Sequence, residues 1–125
     1  MTDFMTKYFW WLPFGSVPEL NAEELARVVN KRSRKAPQLL DVRTVQEWNQ
    51  GHIKNSLNVP IGALKAQIKA LPFDKSQPVY AICRSAHRSI PAVRLLQLAG
   101  YRDVKQLEGG MTAWERRGFP VRSSR

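Results

Sequence analysis

A single cysteine and two histidines are all the thiol and imidazole groups that the 125 residues hold. One cysteine cannot close an intramolecular disulfide. One cysteine with two histidines also falls short of the four Cys and His ligands from which structural zinc sites are usually built, so no metal is expected. No apolar run approaches the ~20 residues that a membrane-spanning helix needs. Acidic residues are scarce too: 10 Asp and Glu stand against 20 Lys and Arg, giving a formal charge of +10 and a pI near 10.4. The rest is ordinary globular composition, 43% hydrophobic and 24% charged, which argues against disorder and low complexity. The length suits one domain, because two cores would have too little surface to bury. The lone thiol is therefore either buried filler or the centre of the chemistry.

A surplus of base suits nucleic acid, an anionic membrane surface or a small anionic substrate. Lys31, Arg32, Arg34 and Lys35 form one basic group, and Arg116, Arg117, Arg122 and Arg125 another. Both read as solvated surface rather than as a nucleic-acid footprint. A third group, Arg84, His87, Arg88 and Arg94, surrounds Cys83 in the sequence.

Residues 1–17 read as an aromatic arm and 18–125 as the domain. Asp3, Pro13 and Gly15 interrupt any secretory leader and no A-x-A site follows, so a cytoplasmic location is expected. The arm either packs its aromatics on the domain or a partner, or makes a peripheral membrane contact through residues 4–14, with Trp10 and Trp11 at the interface. Asn21 and Glu24 form a capping arrangement, and Leu25, Val28 and Val29 give the apolar face of a helix running to about Lys31. Gln38–Val42 is a short strand, followed by a helical TVQEWNQ stopped at Gly51. Ser56–Pro60 is another strand and Ile61–Leu71 a helix with Leu64, Ile68 and Leu71 on one face. Pro78–Ile82 is apolar throughout and therefore a central strand. A helix from about Ser89 to Ala99 is closed by Gly100, with Pro91 tolerated in its first turn. Val104–Leu107 is a strand, Gly109-Gly110 a turn, and Met111–Arg117 a last helix. Short strands alternating with helices predict an α/β domain with a central parallel sheet and helices on both faces.

Ile82-Cys-Arg-Ser-Ala-His-Arg-Ser89 joins the central strand to the next helix. In open α/β sheets ligands bind beyond the carboxyl ends of the strands, so Cys83 stands where chemistry is expected. The loop must turn sharply, which lets the 84–88 backbone N–H groups converge in an anion cup at a helix N-terminus. That environment favours the thiolate, the nucleophilic form. Arg84 and Arg88 add positive charge that attracts an anionic substrate, with Ser85, Ala86 and His87 completing the cup. His87 either assists donor binding or proton transfer, or faces solvent.

The order Leu40-Asp-Val-Arg43, Glu47-Trp-x-x-Gly-His-Ile53, Asn58-Val-Pro60, Cys83-Arg-Ser-x-x-Arg-Ser89 and Leu107-Glu-Gly-Gly-Met-x-x-Trp114 closely resembles a single-domain rhodanese, from about Pro18 to Val121. The resemblance implies an α/β domain that carries sulfane sulfur as a persulfide on Cys83. The sulfur would come from a donor such as thiosulfate and pass to a thiol or cyanide acceptor, with no cofactor. In related phosphatases and arsenate reductases the Cys-to-Arg loop is one residue longer; the four residues between Cys83 and Arg88 favour sulfur over phosphate. Ala86 departs from the family pattern C-x-x-G-x-R, where glycine admits a left-handed backbone that costs alanine roughly 1 kcal/mol. Two further readings are a sulfur-relay or interaction module with little turnover of thiosulfate, docking through the arm, and tRNA thiolation with salt-sensitive RNA binding.

Asp41 and Arg43 read as supports of the cysteine loop or as an ordinary strand-end pair, and Glu47 as an i, i+4 partner of Arg43. Ser85 and Ser89 donate to the loop or cap the next helix, with Ser89 the cap. His52 is expected to hold a turn, and Trp48 and Trp114 to fill the core.

Overall fold

Five short runs of the described residues fold into strands. These are β1 (Glu19–Leu20), β2 (Gln38–Asp41), β3 (Leu57–Asn58), β4 (Val79–Ile82) and β5 (Val104–Leu107). A computed structural model describes residues 9–12, 15–85 and 88–123; Ala86, His87, much of the aromatic arm and Arg125 lie outside them. The strands pair in parallel in the order β1-β5-β4-β2-β3, so β4 is central, as its apolar sequence predicts.

Among the described residues, four α-helices connect them, α1 (Ala22–Asn30), α2 (Val45–Gln50), α3 (Ile61–Gln67) and α4 (Ser89–Leu98), and a fifth, α5 (Gly110–Arg116), follows β5. Two of them start on reciprocal capping boxes. Asn21 Oδ1 accepts from the Glu24 N–H at 2.8 Å while Glu24 Oε1 accepts from the Asn21 N–H at 2.9 Å, and Thr44 and Glu47 repeat the arrangement at α2.

The strand period of two sorts side chains onto opposite faces. Leu40, Val42, Val79, Ala81 and Cys83 join Leu64 of α3 and Val93 and Leu96 of α4 in one core. Leu39, Ile82 and Leu107 join Leu25 of α1 and Met111 and Trp114 of α5 in the other. Helices therefore cover both faces, and the site lies on the α4 side.

Three elements differ from their sequence expectation. β1 falls on a stretch with no strand pattern; its two residues are held at the sheet edge by β5, with the Gln106 N–H donating to Pro18 and the Glu108 N–H to Leu20. The Ile61–Leu71 helix is α-helical only to Gln67 and tightens into a 3-10 turn over Ile68–Ala70. The strand around Leu57 is two residues long, because Pro60 already caps α3.

Candidate active site

Cys83 directly follows β4, and its side chain is fully buried on the α4 side. The next residues, Arg84 and Ser85, are exposed. The first two loop carbonyls are bound by α5: the Met111 N–H donates to Cys83 O at 2.8 Å and the Thr112 N–H to Arg84 O at 2.9 Å. In a trans peptide the next N–H points opposite to the carbonyl, so the Arg84 and Ser85 N–H groups are aimed away from α5. This contact depends on Gly110. Its φ is +58°, and a Cβ there would stand 2.6 Å from Arg84 O and closer still to Cys83 O. Gly110, part of the Gly109-Gly110 turn read from sequence, is thus the surface on which the cysteine loop rests.

Ser89 is the first residue of α4 and not its cap. Arg88 holds the N-cap position with no side-chain cap bond. The Ser89 hydroxyl instead lies 3.5 Å from Cys83 Sγ and donates to Gln106 Oε1 at 2.6 Å, while Gln106 Nε2 donates to Glu19 Oε2 at 3.0 Å. Neither Gln106 nor Glu19 stands out in the sequence as a site residue. The signal was Gln106 itself, a polar residue sharing the inward period of Val104 in an otherwise apolar-facing strand.

The charges pair differently from the sequence expectation. The Glu47 carboxylate binds Arg88 through two bonds of 2.7 and 3.0 Å, so its partner is Arg88, while Arg43 reaches Glu47 only at the backbone carbonyl, 3.4 Å from Nη1. Arg43 instead forms a buried ion pair with Asp41 at 2.8 Å and donates to Gly51 O at 2.7 Å. Asn58 Nδ2 donates to the carbonyls of Asp41 and Arg43, fixing the Asn-Val-Pro turn to the end of β2. Asp41 and Arg43 thus brace α2 and the end of β2, and reach the cysteine loop through Glu47 and Arg88. Arg94 donates to Leu12 O at 2.7 Å. His52 does hold a turn: Nδ1 lies 2.7 Å from Trp48 O, the ring stacks on Trp48, and its backbone pairs with Arg122. Trp114 is buried in the core, whereas Trp48 is half-buried and donates to Ser56 Oγ at 3.0 Å.

The Arg88 guanidinium, bonded to Glu47, holds that carboxyl at about 2, well below its ordinary 4.5; the Thr44 N–H adds to the effect. A folded value below the unfolded one means that the pair stabilises the fold above pH 4.5 and that this contribution is lost as pH falls towards 2. Both side chains are partly exposed, so the contribution after screening is about 1 kcal/mol. Glu47→Gln is expected to lower stability at neutral pH by that amount and to flatten the acid limb of a stability-versus-pH curve between those values. An unchanged acid limb would refute the assignment.

Elsewhere, Lys31, Arg32, Arg34 and Lys35 are exposed, as are Arg116, Arg117 and Arg122. A groove of about 820 Å³ opens at the opposite end of the strands, lined by Arg34, Lys35, Gln38, Phe73 and Tyr80 among others, and does not include Cys83. Among the described residues, no group of three or more His, Cys, Asp or Glu is placed to hold a metal ion, and no helix is long and apolar enough to cross a membrane. In the arm, Trp10 packs against the α4-side core with Lys65 over its ring, and Trp11 is exposed.

The model of the rhodanese-like domain matches residues 22–117. The chain is 37% identical over 83 residues to a sulfurtransferase of Allochromatium vinosum, covering 66% of this chain and 76% of that protein. It is 34% identical over 105 residues to the adenylyltransferase and sulfurtransferase uba4 of Ogataea parapolymorpha, covering 82% of this chain but 27% of the yeast protein. A rhodanese-related protein of Thermoplasma volcanium superposes with a TM-score of 0.74 at 32% identity, over 85% of this chain and 98% of that one.

Proposed function

The chain belongs to the rhodanese-like domain family, and from that premise we propose that it is a sulfurtransferase in which Cys83 carries sulfane sulfur as a persulfide. The observation that carries the reading is the placement of Cys83 at the carboxyl end of the central strand, with the carbonyls of Cys83 and Arg84 turned into α5. That leaves the Arg84 and Ser85 N–H groups available to an anion, and Ala86, His87 and Arg88 complete the proposed cup. Cys83 thiolate attacks the outer sulfur of thiosulfate, the S–S bond breaks, and sulfite leaves with its electron pair. A thiolate or cyanide then attacks the outer sulfur of the persulfide and releases Cys83 thiolate. Two half-reactions through a covalent form give ping-pong kinetics. The exposed Arg84 is the charge that draws the donor in, because Arg88 is engaged by Glu47 and serves to anchor the loop. A cytoplasmic location, where a thiol stays reduced, is part of the proposal.

The test is an intact mass after incubation with thiosulfate. A gain of about 32 Da, one sulfur, in the native protein but not in Cys83→Ser, and reversed by cyanide, is expected for covalent catalysis. No gain from thiosulfate but a gain from a persulfide donor would shift the assignment to a sulfur-relay module. No gain from either donor overturns the sulfur-carrier reading.

A further inference from the structure

Four polar groups run in a line from the buried thiol to the surface: Cys83 Sγ, Ser89 Oγ, the Gln106 amide and the Glu19 carboxylate. Cys83 and Ser89 have no exposed surface, Gln106 is buried, and Glu19 is exposed. The line has a direction, and its outer end sets it. An ionised carboxylate only accepts, so Gln106 must present its NH₂ group to Glu19 and its Oε1 to Ser89. Gln106 Oε1 also only accepts, so at 2.6 Å the single hydroxyl proton of Ser89 is given to it. Toward Cys83, Ser89 then offers a lone pair, which suits an S–H donor and opposes a thiolate.

Deepening the sulfurtransferase reading on which it rests, we propose that Gln106, oriented by Glu19, is a positioning residue that turns the Ser89 hydroxyl away from Cys83 and favours the protonated thiol at rest. Once Glu19 no longer acts as a pure acceptor, the line can reverse. The Gln106 amide turns over, its NH₂ donates to Ser89 Oγ, and Ser89 donates to the sulfur anion. Each of the four groups keeps a hydrogen bond to its neighbour in the line in both directions.

Glu19→Gln permits the reversal, because its new NH₂ can donate to Gln106 Oε1. The substitution lies at an exposed position and keeps the size of the side chain. Thiolate is read by ultraviolet absorbance during a pH titration; only one thiol contributes, and Cys83→Ser serves as the blank for ionisation of the three tyrosines. A donor hydrogen bond to a sulfur anion is charge-assisted, worth about 1.5 kcal/mol or more, so thiolate is expected to rise about tenfold wherever it is the minor form. The other charges near the site are unaltered in this variant: Arg88 with Glu47, Asp41 with Arg43, Arg84 next to the cysteine, and Lys105 next to Gln106. Removing the Glu19 charge also acts through space, and the Ser89→Ala background separates that effect. The rise is expected in Glu19→Gln and is expected to be absent when Glu19→Gln is made in Ser89→Ala. No rise, or an equal rise in both backgrounds, overturns the proposal. No sulfur donor enters this titration, so its outcome is independent of whether thiosulfate loads the protein.

Discussion

Gly110→Ala is expected to destabilise the domain by about 3 kcal/mol and to cut thiosulfate loading of whatever folded protein remains. Two costs combine. A φ of +58° disfavours any residue with a Cβ, by roughly 1 kcal/mol. The added methyl also lands on the Cys83 carbonyl oxygen and on the carbonyl carbon and oxygen of Arg84. These are backbone atoms with no rotamer to escape into, so the loop or α5 must move, and such overpacking typically costs 1–3 kcal/mol. Movement here breaks the bonds from Met111 and Thr112 that turn the first loop carbonyls away from the cup. Gly62→Ala is the control, since a Cβ there meets nothing within 4 Å in α3. Helix propensity predicts a gain of roughly 0.5–1 kcal/mol for it. Urea denaturation of the two variants, with intact mass after thiosulfate, checks both halves; a Gly110→Ala protein within 0.5 kcal/mol of the native one would refute the packing argument.

The dependence on Gly110 shows which parts of the site a sequence can reveal. Local signals carried the architecture. The Asn21–Glu24 cap, the unbroken apolar run of β4 and the strand–loop–helix setting of Cys83 each depend on neighbours within a few residues, and each is found where the pattern puts it. What the pattern missed depends on contacts between distant residues. β1 forms because β5 offers it hydrogen bonds, not because Glu19-Leu20 prefers a strand. Arg43 and Glu47 satisfy the helical i, i+4 spacing, yet each has a better partner: Asp41 is buried beside Arg43, and Arg88 reaches Glu47 across 41 residues of chain. Ser89 has the composition of a cap, but the thiol and Gln106 lie within its reach and take the hydroxyl. A buried glutamine in a strand was the legible clue, since an inward-facing amide must find partners.

The second large effect is expected from breaking the Asp41–Arg43 pair. Both side chains are buried, at 0% and 2% exposure, so neither charge can recover hydration when its partner is removed. Arg43 binds the Asp41 carboxylate through Nε and Nη2, and Nη2 also donates to Gly51 O at 2.7 Å. Arg43→Met keeps the volume but leaves a buried carboxylate held by little more than the Arg43 N–H at 3.0 Å. The expected cost is about 3–5 kcal/mol, a large share of the 5–15 kcal/mol that holds an ordinary domain together. The pair's net contribution is smaller than this, because most of the loss is the penalty on the orphaned charge. Adding Asp41→Leu to Arg43→Met removes the orphaned charge and is therefore expected to recover much of the stability, although Gly51 O and the backbone N–H of residue 43, which Asp41 Oδ1 accepts from in the native protein, stay unpaired. The recovered double variant separates folding from function. With the pair gone, α2 loses its tether at Gly51, Glu47 is no longer held against Arg88, and the cysteine loop loses its anchor. Denaturation midpoints should thus return towards the native value in the double variant while sulfur loading stays depressed. Loading that recovers together with stability would show that the pair supports the fold alone and that the anchor at Arg88 does not need it.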